Sequence, residues 1–281
     1  MELDIFRTLW GVTAPLESYA EQLKSVGFTG VEARIAATSE ERKAFRQALD
    51  NTGMEHIAIL FTGGDVIPDQ FETSADHLAR MDRLLDAAGE LSPRFINVLP
   101  GNDRWAMSEQ VEFFGRAQEL ADKHGILCSF ETHRGTSLYS PWVTLDLIRQ
   151  LPQLQFTTDI SHWVLVCERL LNHSKDDLSA FIDRVHHVQA RVGYDQGPQV
   201  PHPDAPEYRS QLEFHQSIWE AVWRKHIEKG YERSTLTTEF GPDGYLHHLP
   251  FTNVPVADLW SLNERMAIEE RRHFNQFIQS V

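Results

Sequence analysis

Apolar positions along this chain follow two alternating patterns. Short apolar runs rich in β-branched residues predict strands, and the segments between them have the three- and four-residue apolar spacing of amphipathic helices. The predicted strands are Leu3–Trp10, Gly30–Ile35, Glu55–Phe61, Arg94–Leu99, Ile126–Thr132, Leu154–Asp159, Val185–Arg191 and Thr235–Phe240. The predicted helices are Pro15–Val26, Ser39–Asp50, Phe71–Ala88, Ser108–Lys123, Pro141–Gln150, a segment from Ser174 to Asp183, Tyr208–Lys229 and Val256–Ile278.

This alternation gives eight strand–helix units, most of them about 30 residues long, which favours a (β/α)8 TIM barrel. No low-complexity or Pro/Ser-rich linker divides the sequence, so we expect one domain over residues 1–281. A doubly wound dinucleotide-binding sheet is disfavoured because no G-x-G-x-x-G motif follows the first strand.

Composition excludes several classes of function. The chain has 41 acidic and 26 Lys or Arg residues, a formal charge of −15, which argues against nucleic-acid binding because phosphate contacts need a basic surface. No run approaches the roughly 18 apolar residues of a membrane span, and the N-terminus lacks the basic region of a signal peptide. Cys128 and Cys167 have no metal or redox spacing. We therefore expect a cytoplasmic enzyme with reduced cysteines.

Four polar residues stand at the ends of consecutive predicted strands, namely Glu131, Asp159, Gln189 and Glu239, separated by 28, 30 and 50 residues. In a barrel they would meet at the carboxyl-terminal rim, where active sites of this fold are built. Three converging carboxylates repel one another and raise one another's pKa unless a cation is present. The sequence therefore predicts a divalent metal site.

Two long loops follow the last two strands. Val192–Glu207 and Gly241–Pro255 are rich in Pro and Gly and would lie at the same rim. Loops of this length in a compact domain are usually functional, so we expect them to cover the site.

The motifs at these strand ends resemble those of the xylose isomerase-like barrel superfamily, which includes sugar isomerases, ketose epimerases and inosose dehydratases. They are Glu-x-His at Glu131, Asp-x-x-His at Asp159, the strand-eight Glu239, and Gly-Val-Glu ending at Glu32. The resemblance covers essentially the whole chain and implies a sugar isomerase or epimerase in which a metal stabilises an enediolate while a proton is transferred.

The resemblance also implies roles for individual residues. Glu131, Asp159, Gln189 and Glu239 would bind the metal, and Glu131 and Glu239 would in addition exchange the proton. The residues expected to contact substrate are His133, His162, Arg191, Glu32 and Trp10.

The strand-seven ligand departs from the family pattern. The family usually has His at that position, and this chain has Gln189. His187, two residues earlier on the same face of the strand and one layer deeper in the barrel, is the alternative metal ligand. An amide oxygen beside three carboxylates suits Mn²⁺ or Mg²⁺, whereas an imidazole would favour Zn²⁺ or Co²⁺. Mn²⁺ or Mg²⁺ is the expectation.

Several alternatives stay open. A lyase that dehydrates a keto-inositol-like polyol would use the same site, and a barrel that binds metal and sugar without catalysis is suggested by Gln189. An endonuclease-like phosphodiesterase is disfavoured by the charge of −15. The expected partner is a small sugar or polyol, unphosphorylated because no phosphate-binding Gly-rich loop is present, and relatives imply a homodimer.

Overall fold

Eight parallel strands close into a barrel in chain order, with β8 pairing with β1. This computed structural model describes residues 1–242 and 244–281, and it confirms the predicted (β/α)8 TIM barrel. The strands are β1 Glu2–Thr8, β2 Gly30–Arg34, β3 Glu55–Phe61, β4 Ile96–Leu99, β5 Cys128–Glu131, β6 Phe156–Thr158, β7 Val185–Ala190 and β8 Arg233–Thr238.

Helices surround the barrel and cover its outer face. They are α1 Ala20–Val26, α2 Ser39–Thr52, α3 Ser74–Ala88, α4 Met107–His124, α5 Pro141–Gln150, α6 Ile160–Val166, α7 Ser179–Ile182, α8 Arg209–Glu228 and α9 Leu259–Ser280. Local sequence sets several of their ends: Thr38 and Thr73 form capping boxes before α2 and α3, and Gly125 ends α4 in the left-handed conformation. Among the described residues, none of these helices is long and apolar enough to cross a membrane.

The connection after β6 differs from the prediction. The expected helix from Ser174 to Asp183 is reduced to the single turn of α7, and a helix not predicted, α6, starts directly after the strand. Asp159 causes this start because its side chain accepts a hydrogen bond from the Ser161 N–H at 3.1 Å and so caps α6. Near Ser174, the Asp176 carboxylate instead accepts from the His173 N–H, which forms a turn.

Several other elements were predicted too long, among them the first strand, which ends at Thr8 rather than Trp10, and the third helix, which starts at Ser74 rather than Phe71. The first helix is preceded by a separate 3-10 turn over Leu16–Ser18. The β5 strand ends at Glu131 rather than Thr132. The Thr132 N–H still donates to the Thr157 carbonyl at 3.1 Å, and the Thr132 hydroxyl adds bonds to the N–H of Asp159 at 2.8 Å and to its carbonyl at 3.0 Å.

The interior of the barrel is closed at its amino-terminal end by an apolar plug. Phe6, Ile57 and Phe95 form a separate buried cluster there, and the ring of His187 packs 5.1 Å from that of Phe95. The larger core lies between the strands and the helices and includes the buried Trp163, Trp219 and Trp223. The closed lower end leaves the carboxyl-terminal rim as the accessible part of the barrel.

Candidate metal centre and its cavity

Three of the predicted carboxylates converge at the carboxyl-terminal rim. Glu131 is the last residue of β5, Asp159 follows β6, and Glu239 follows β8. Each offers an oxygen, and these three oxygens lie within 4.8 Å of one another. Glu131 is 2% exposed and Asp159 is fully buried, so solvent screens their mutual repulsion only weakly.

A buried polar layer supports these carboxylates. The Asn97 amide in β4 donates to Glu131 Oε2 at 2.5 Å and to Glu32 Oε1 at 3.0 Å. The Gln189 amide in β7 donates to both oxygens of Glu32, at 2.9 and 3.0 Å. One network therefore joins strands β2, β4, β5 and β7 inside the barrel.

The two candidates for a strand-seven ligand differ in how their polar atoms are used. Both ring nitrogens of His187 are occupied by the hydroxyls of Thr235 at 2.8 Å and Thr237 at 3.0 Å. Gln189 Oε1 is buried and has no hydrogen-bond partner among the described residues. Of the two side chains, Gln189 is thus the one with an unused acceptor, and a buried acceptor without a partner is costly.

Arg191 follows β7 and supplies the positive charge nearest to the carboxylates. Its Nη2 forms an ion pair with Asp159 and lies 3.3 Å from Glu239 Oε2, and its guanidinium carbon is 4.7 Å from the ring centre of Tyr245. Within the described part of the chain, Arg191 Nη1 is buried without a hydrogen-bond partner. One guanidinium therefore faces three converging carboxylates and keeps one donor group available.

His162 lies behind Asp159 in a fixed orientation. Arg134 Nη1 lies 3.0 Å from its Nδ1 and Arg191 Nη2 lies 2.9 Å from its Nε2, so a guanidinium donor faces each ring nitrogen. Nε2 lies 3.2 Å from Asp159. His133 packs on this ring at 3.9 Å between centres and contacts the Tyr245 hydroxyl at 3.5 Å.

The pKa values of the three carboxylates are shifted in different directions: those of Glu131 and Glu239 are raised, and that of Asp159 is lowered. Burial, reinforced by the charges of Glu239 and Asp159, raises the pKa of Glu131 well above its usual value. Burial also raises the pKa of Glu239, to about 8, against the opposing effect of Arg191. Asp159 is the exception: burial would raise its pKa, but the charge of Arg191 and the contacts with His162 and Ser161 together outweigh burial and lower the value.

The imidazoles of the cluster are neutral at pH 7. Burial lowers the pKa of His162 to about 4, although the adjacent Asp159 opposes the effect. Burial lowers the pKa of His133 as well, and the nearby His162 and Arg191 add to the shift. Neither ring competes as a cation for the carboxylates.

A cavity of about 460 Å³ opens next to the cluster. Six of the residues predicted to bind metal or substrate line it, namely Trp10, Glu32, Glu131, His133, Arg191 and Glu239. The other three, Asp159, Gln189 and His162, are fully buried and contact those lining residues. All nine therefore belong to one connected site.

The sequence analysis missed some residues of this site. Asn97 was detectable as a polar residue within the apolar strand Phe95–Leu99, and Arg134 follows the Glu-x-His motif directly. Tyr245 gave no pattern of its own, although it lies in the loop Gly241–Pro255 that was expected to cover the site. Tyr245 lines the cavity and packs edge-to-face with Trp10 at 5.0 Å.

The donor atoms present fit a divalent cation. Three carboxylates converge, and Gln189, whose amide bonds Glu32 in the adjoining polar layer, has a buried side-chain oxygen without a partner among the described residues. Hard cations such as Mg²⁺, Mn²⁺ and Ca²⁺ prefer oxygen ligands of this kind. A dication would also compensate the charges that Arg191 alone balances incompletely.

The chain belongs to the xylose isomerase-like TIM barrel family, whose model matches residues 20–225. This result agrees with the motifs at Glu131, Asp159 and Glu239. No protein of curated function matches the sequence.

Solved structures confirm the fold at low sequence identity. A xylose isomerase-like TIM barrel protein from Mycobacterium smegmatis, in complex with magnesium, is 15% identical with a TM-score of 0.64, covering 99% of this chain and 97% of that one. The 3-keto-D-glucoside 4-epimerase YcjR from E. coli is 12% identical with a TM-score of 0.60, covering 96% and 99%. D-psicose 3-epimerase from Clostridium cellulolyticum H10 is 13% identical with a TM-score of 0.58, covering 99% of both chains.

Proposed function

We propose that this protein is a divalent-metal-dependent isomerase or epimerase that acts on a sugar or a related polyol ketone. The observation that carries the proposal is the convergence of Glu131, Asp159 and Glu239 within 4.8 Å at the mouth of a closed barrel. Similar structures that are sugar epimerases, and one that contains magnesium, support the same class of chemistry.

In this proposal Glu131, Asp159, Gln189 and Glu239 hold the cation, with Mn²⁺ or Mg²⁺ expected from the oxygen donors. The bound cation would act as a Lewis acid for negative charge that develops on a substrate carbonyl oxygen. Glu32 and Asn97 hold the ligand side chains in position through the hydrogen bonds described above.

The proton is transferred by the chain's own carboxylates. Glu131 and Glu239 both line the cavity, so each reaches a substrate placed there, and one removes the carbon-bound proton while the other returns it. Arg191, with its available Nη1, and His133 bind substrate oxygens. Trp10 forms the wall against which the carbon skeleton packs, and His162 keeps Asp159 oriented.

The experiment combines metal analysis with solvent exchange. The purified protein is loaded with Mn²⁺ and incubated in D₂O with a panel of ketoses, and NMR detects deuterium incorporation and new isomers. We expect one metal ion per chain and exchange at one carbon. Glu131→Gln and Glu239→Gln should each lower the exchange rate by at least about 100-fold.

Glu228→Gln is the matched control, because Glu228 is an exposed residue paired with Lys225 at the end of α8, and it should exchange like the unmodified protein. Exchange that persists in both site variants would contradict the assigned proton carriers. Loss of a hydroxyl with formation of an unsaturated product would assign a dehydratase instead. Stoichiometric metal without exchange on any substrate would contradict an isomerase.

A further inference from the structure

The cavity beside the carboxylates has two chemically different halves. The lining residues from β5 to β8 and their loops include the charged Glu131, Arg191 and Glu239. The half built from β1 to β4 also includes the polar Thr8, Glu32 and Arg34, but most of its lining residues are apolar, namely Leu9, Trp10, Ala33, Ile59, Phe61, Val66 and Leu99. The division follows the order of the strands around the barrel.

The apolar half offers few groups that could replace water around a hydroxyl. Thr8 already accepts a hydrogen bond from the Trp10 N–H at 3.2 Å, and the oxygens of Glu32 are used by Gln189 and Asn97. Arg34, which also lines this half, is exposed, pairs with Asp65 at 3.2 Å and lies over the Phe61 ring at 4.2 Å from the ring centre. Hydroxyls that face this half would lose water without gaining comparable bonds.

The apolar half is also held in place before any ligand binds. The Trp10 ring lies so close to Gly241 that a Cβ on that residue would be 2.0 Å from it, and Tyr245 packs against its edge. Leu99 is only 6% exposed and comes from the β4 ladder. A rigid apolar surface of this kind binds an apolar group with little loss of side-chain conformational entropy.

Aromatic rings alone would not distinguish an apolar group from a sugar, since sugars also stack their C–H faces on Trp and Phe. The aliphatic side chains of Ile59, Val66 and Leu99 offer no ring for such stacking and no hydrogen-bonding group, so this part of the lining favours an apolar group. The cavity of about 460 Å³ also has more room than one free hexose fills.

We propose that the natural substrate has two parts, a polyol ketone that faces the carboxylates and an apolar alkyl or aryl group joined to it. The apolar group occupies the surface formed by Leu9, Ile59, Phe61, Val66 and Leu99. The substrate is thus a glycoside or ether with a hydrophobic substituent rather than a free sugar. The assignment of the polar end rests on the proposed function, whereas the apolar subsite rests on its own lining.

The test compares matched ligands that differ only in the apolar group. Phenyl and methyl glycosides of the common hexoses are titrated into the Mn²⁺-loaded protein by calorimetry. We expect at least one phenyl glycoside to bind about tenfold or more tightly than its methyl counterpart, because a phenyl ring buries considerably more apolar surface.

Variants locate the subsite. Leu99→Asn should remove most of the preference for phenyl, and Val66→Thr, which keeps the shape of a half-buried loop residue, should reduce it if Leu99→Asn fails to fold. Leu127→Asn is the control, because Leu127 is exposed and lies just before β5 at the opposite end of the barrel. It should leave the preference unchanged.

The outcomes separate this inference from the proposed function. The phenyl preference is measured again in Glu239→Gln, where it should persist because it does not depend on proton transfer. Equal affinities for each pair, or no measurable binding of any phenyl glycoside at millimolar concentration, would overturn the apolar subsite. A preserved preference without deuterium exchange on any substrate would overturn only the proposed isomerase.

Discussion

The amide nitrogen of Gln189 lies 2.9 and 3.0 Å from the two carboxylate oxygens of Glu32. A carboxylate can only accept from this amide, so the contact fixes which way the amide points. The carbonyl oxygen of Gln189 is then turned away from Glu32, and it has no partner among the residues that the structure describes. Glu32 therefore acts as a positioning residue for the proposed neutral metal ligand.

Replacing this carboxylate should weaken metal binding. In Glu32→Gln the new side chain can present its own amide nitrogen, which permits the Gln189 amide to turn over and point a nitrogen at the cation. We expect Mn²⁺ affinity to fall by about 10- to 100-fold, as is typical for residues that orient metal ligands. Calorimetric titration of the metal-free protein measures it, and unchanged affinity would contradict the positioning role.

The identity of the strand-seven ligand should set the metal preference. Gln189→His replaces the amide oxygen with an imidazole nitrogen, a donor that Zn²⁺ and Co²⁺ accept more readily than Mg²⁺ or Mn²⁺. We expect the ratio of Zn²⁺ to Mn²⁺ affinity to rise by about tenfold or more. Competition titrations measure the ratio. The reverse substitution at the neighbouring position, His187→Gln, is the comparison and should not raise the ratio, because His187 bonds two threonine hydroxyls instead.

The sequence predicted the barrel, and it predicted that most of the candidate site residues lie together, because both follow from strand periodicity. A residue at the end of an apolar strand has a defined place on the rim, so Glu131, Asp159 and Glu239 could be brought together from their spacing alone. The unpredicted helix α6 shows the limit of that approach. Its start depends on the side chain of Asp159 capping Ser161, and the same residue had already been assigned to the strand.

The apolar half of the cavity could not be predicted in the same way. Ile59 and Leu99 read as ordinary core residues of two strands, and only the closed geometry shows that they face an open cavity. Tyr245 reaches the site from a long loop without a periodic pattern, so its contact with Trp10 required the tertiary structure.

The metal-free site should destabilise the protein at high pH. The pKa of Glu239 is about 8 in the folded protein, above the value of about 4.3 for an exposed Glu. The unfolded state therefore loses this proton first, and stability falls as pH rises from about 4 through 8. In the presence of a chelator we expect Glu239→Gln to be more stable than the unmodified protein at pH 8 by a few kcal/mol, at about 1.4 kcal/mol for each unit of pKa difference.

Urea unfolding at pH 5 and pH 8 measures this effect. The free energies of unfolding of the unmodified protein and of Glu239→Gln should differ little at pH 5, where Glu239 is protonated in the folded protein. Saturating Mn²⁺ should stabilise the unmodified protein more than the variant. A Glu239→Gln variant that is less stable than the unmodified protein at pH 8 without metal would contradict the raised pKa.

A buried histidine at the other end of the barrel should make the fold sensitive to acid. His226 bonds Ser234 Oγ at 2.9 Å and the Val185 carbonyl at 2.8 Å, and burial lowers its pKa to about 4. The unfolded state binds this proton first as pH falls below about 6.5, so stability is lost between pH 6.5 and 4. In His226→Gln the free energy of unfolding should depend less steeply on pH in this range, by up to about 1.4 kcal/mol per pH unit.

The comparison is made by urea unfolding at pH 7 and pH 5. His248→Gln is the control because His248 is exposed in the loop after β8. The free energy of unfolding of this variant should depend on pH in the same way as that of the unmodified protein. An equal loss of stability in His226→Gln and in the unmodified protein would show that this histidine is not responsible.

Gly241 should control the position of Trp10 in the cavity. A Cβ at residue 241 would lie 2.0 Å from the Trp10 ring, a distance at which the indole or the loop that carries residue 241 must move. Gly241→Ala should therefore weaken the binding of phenyl glycosides by about tenfold while leaving Mn²⁺ affinity nearly unchanged, since Trp10 is not among the proposed ligands.

Gly115 provides the matched control, because it lies inside α4 and a Cβ there meets nothing within 4 Å. Gly115→Ala should raise the free energy of unfolding by about 0.5–1 kcal/mol through helix propensity and leave ligand binding unchanged. Calorimetry with phenyl glycosides and with Mn²⁺ separates the two effects. If Gly241→Ala lowered Mn²⁺ and glycoside affinity equally, the loop after β8 would act on the whole site rather than through Trp10.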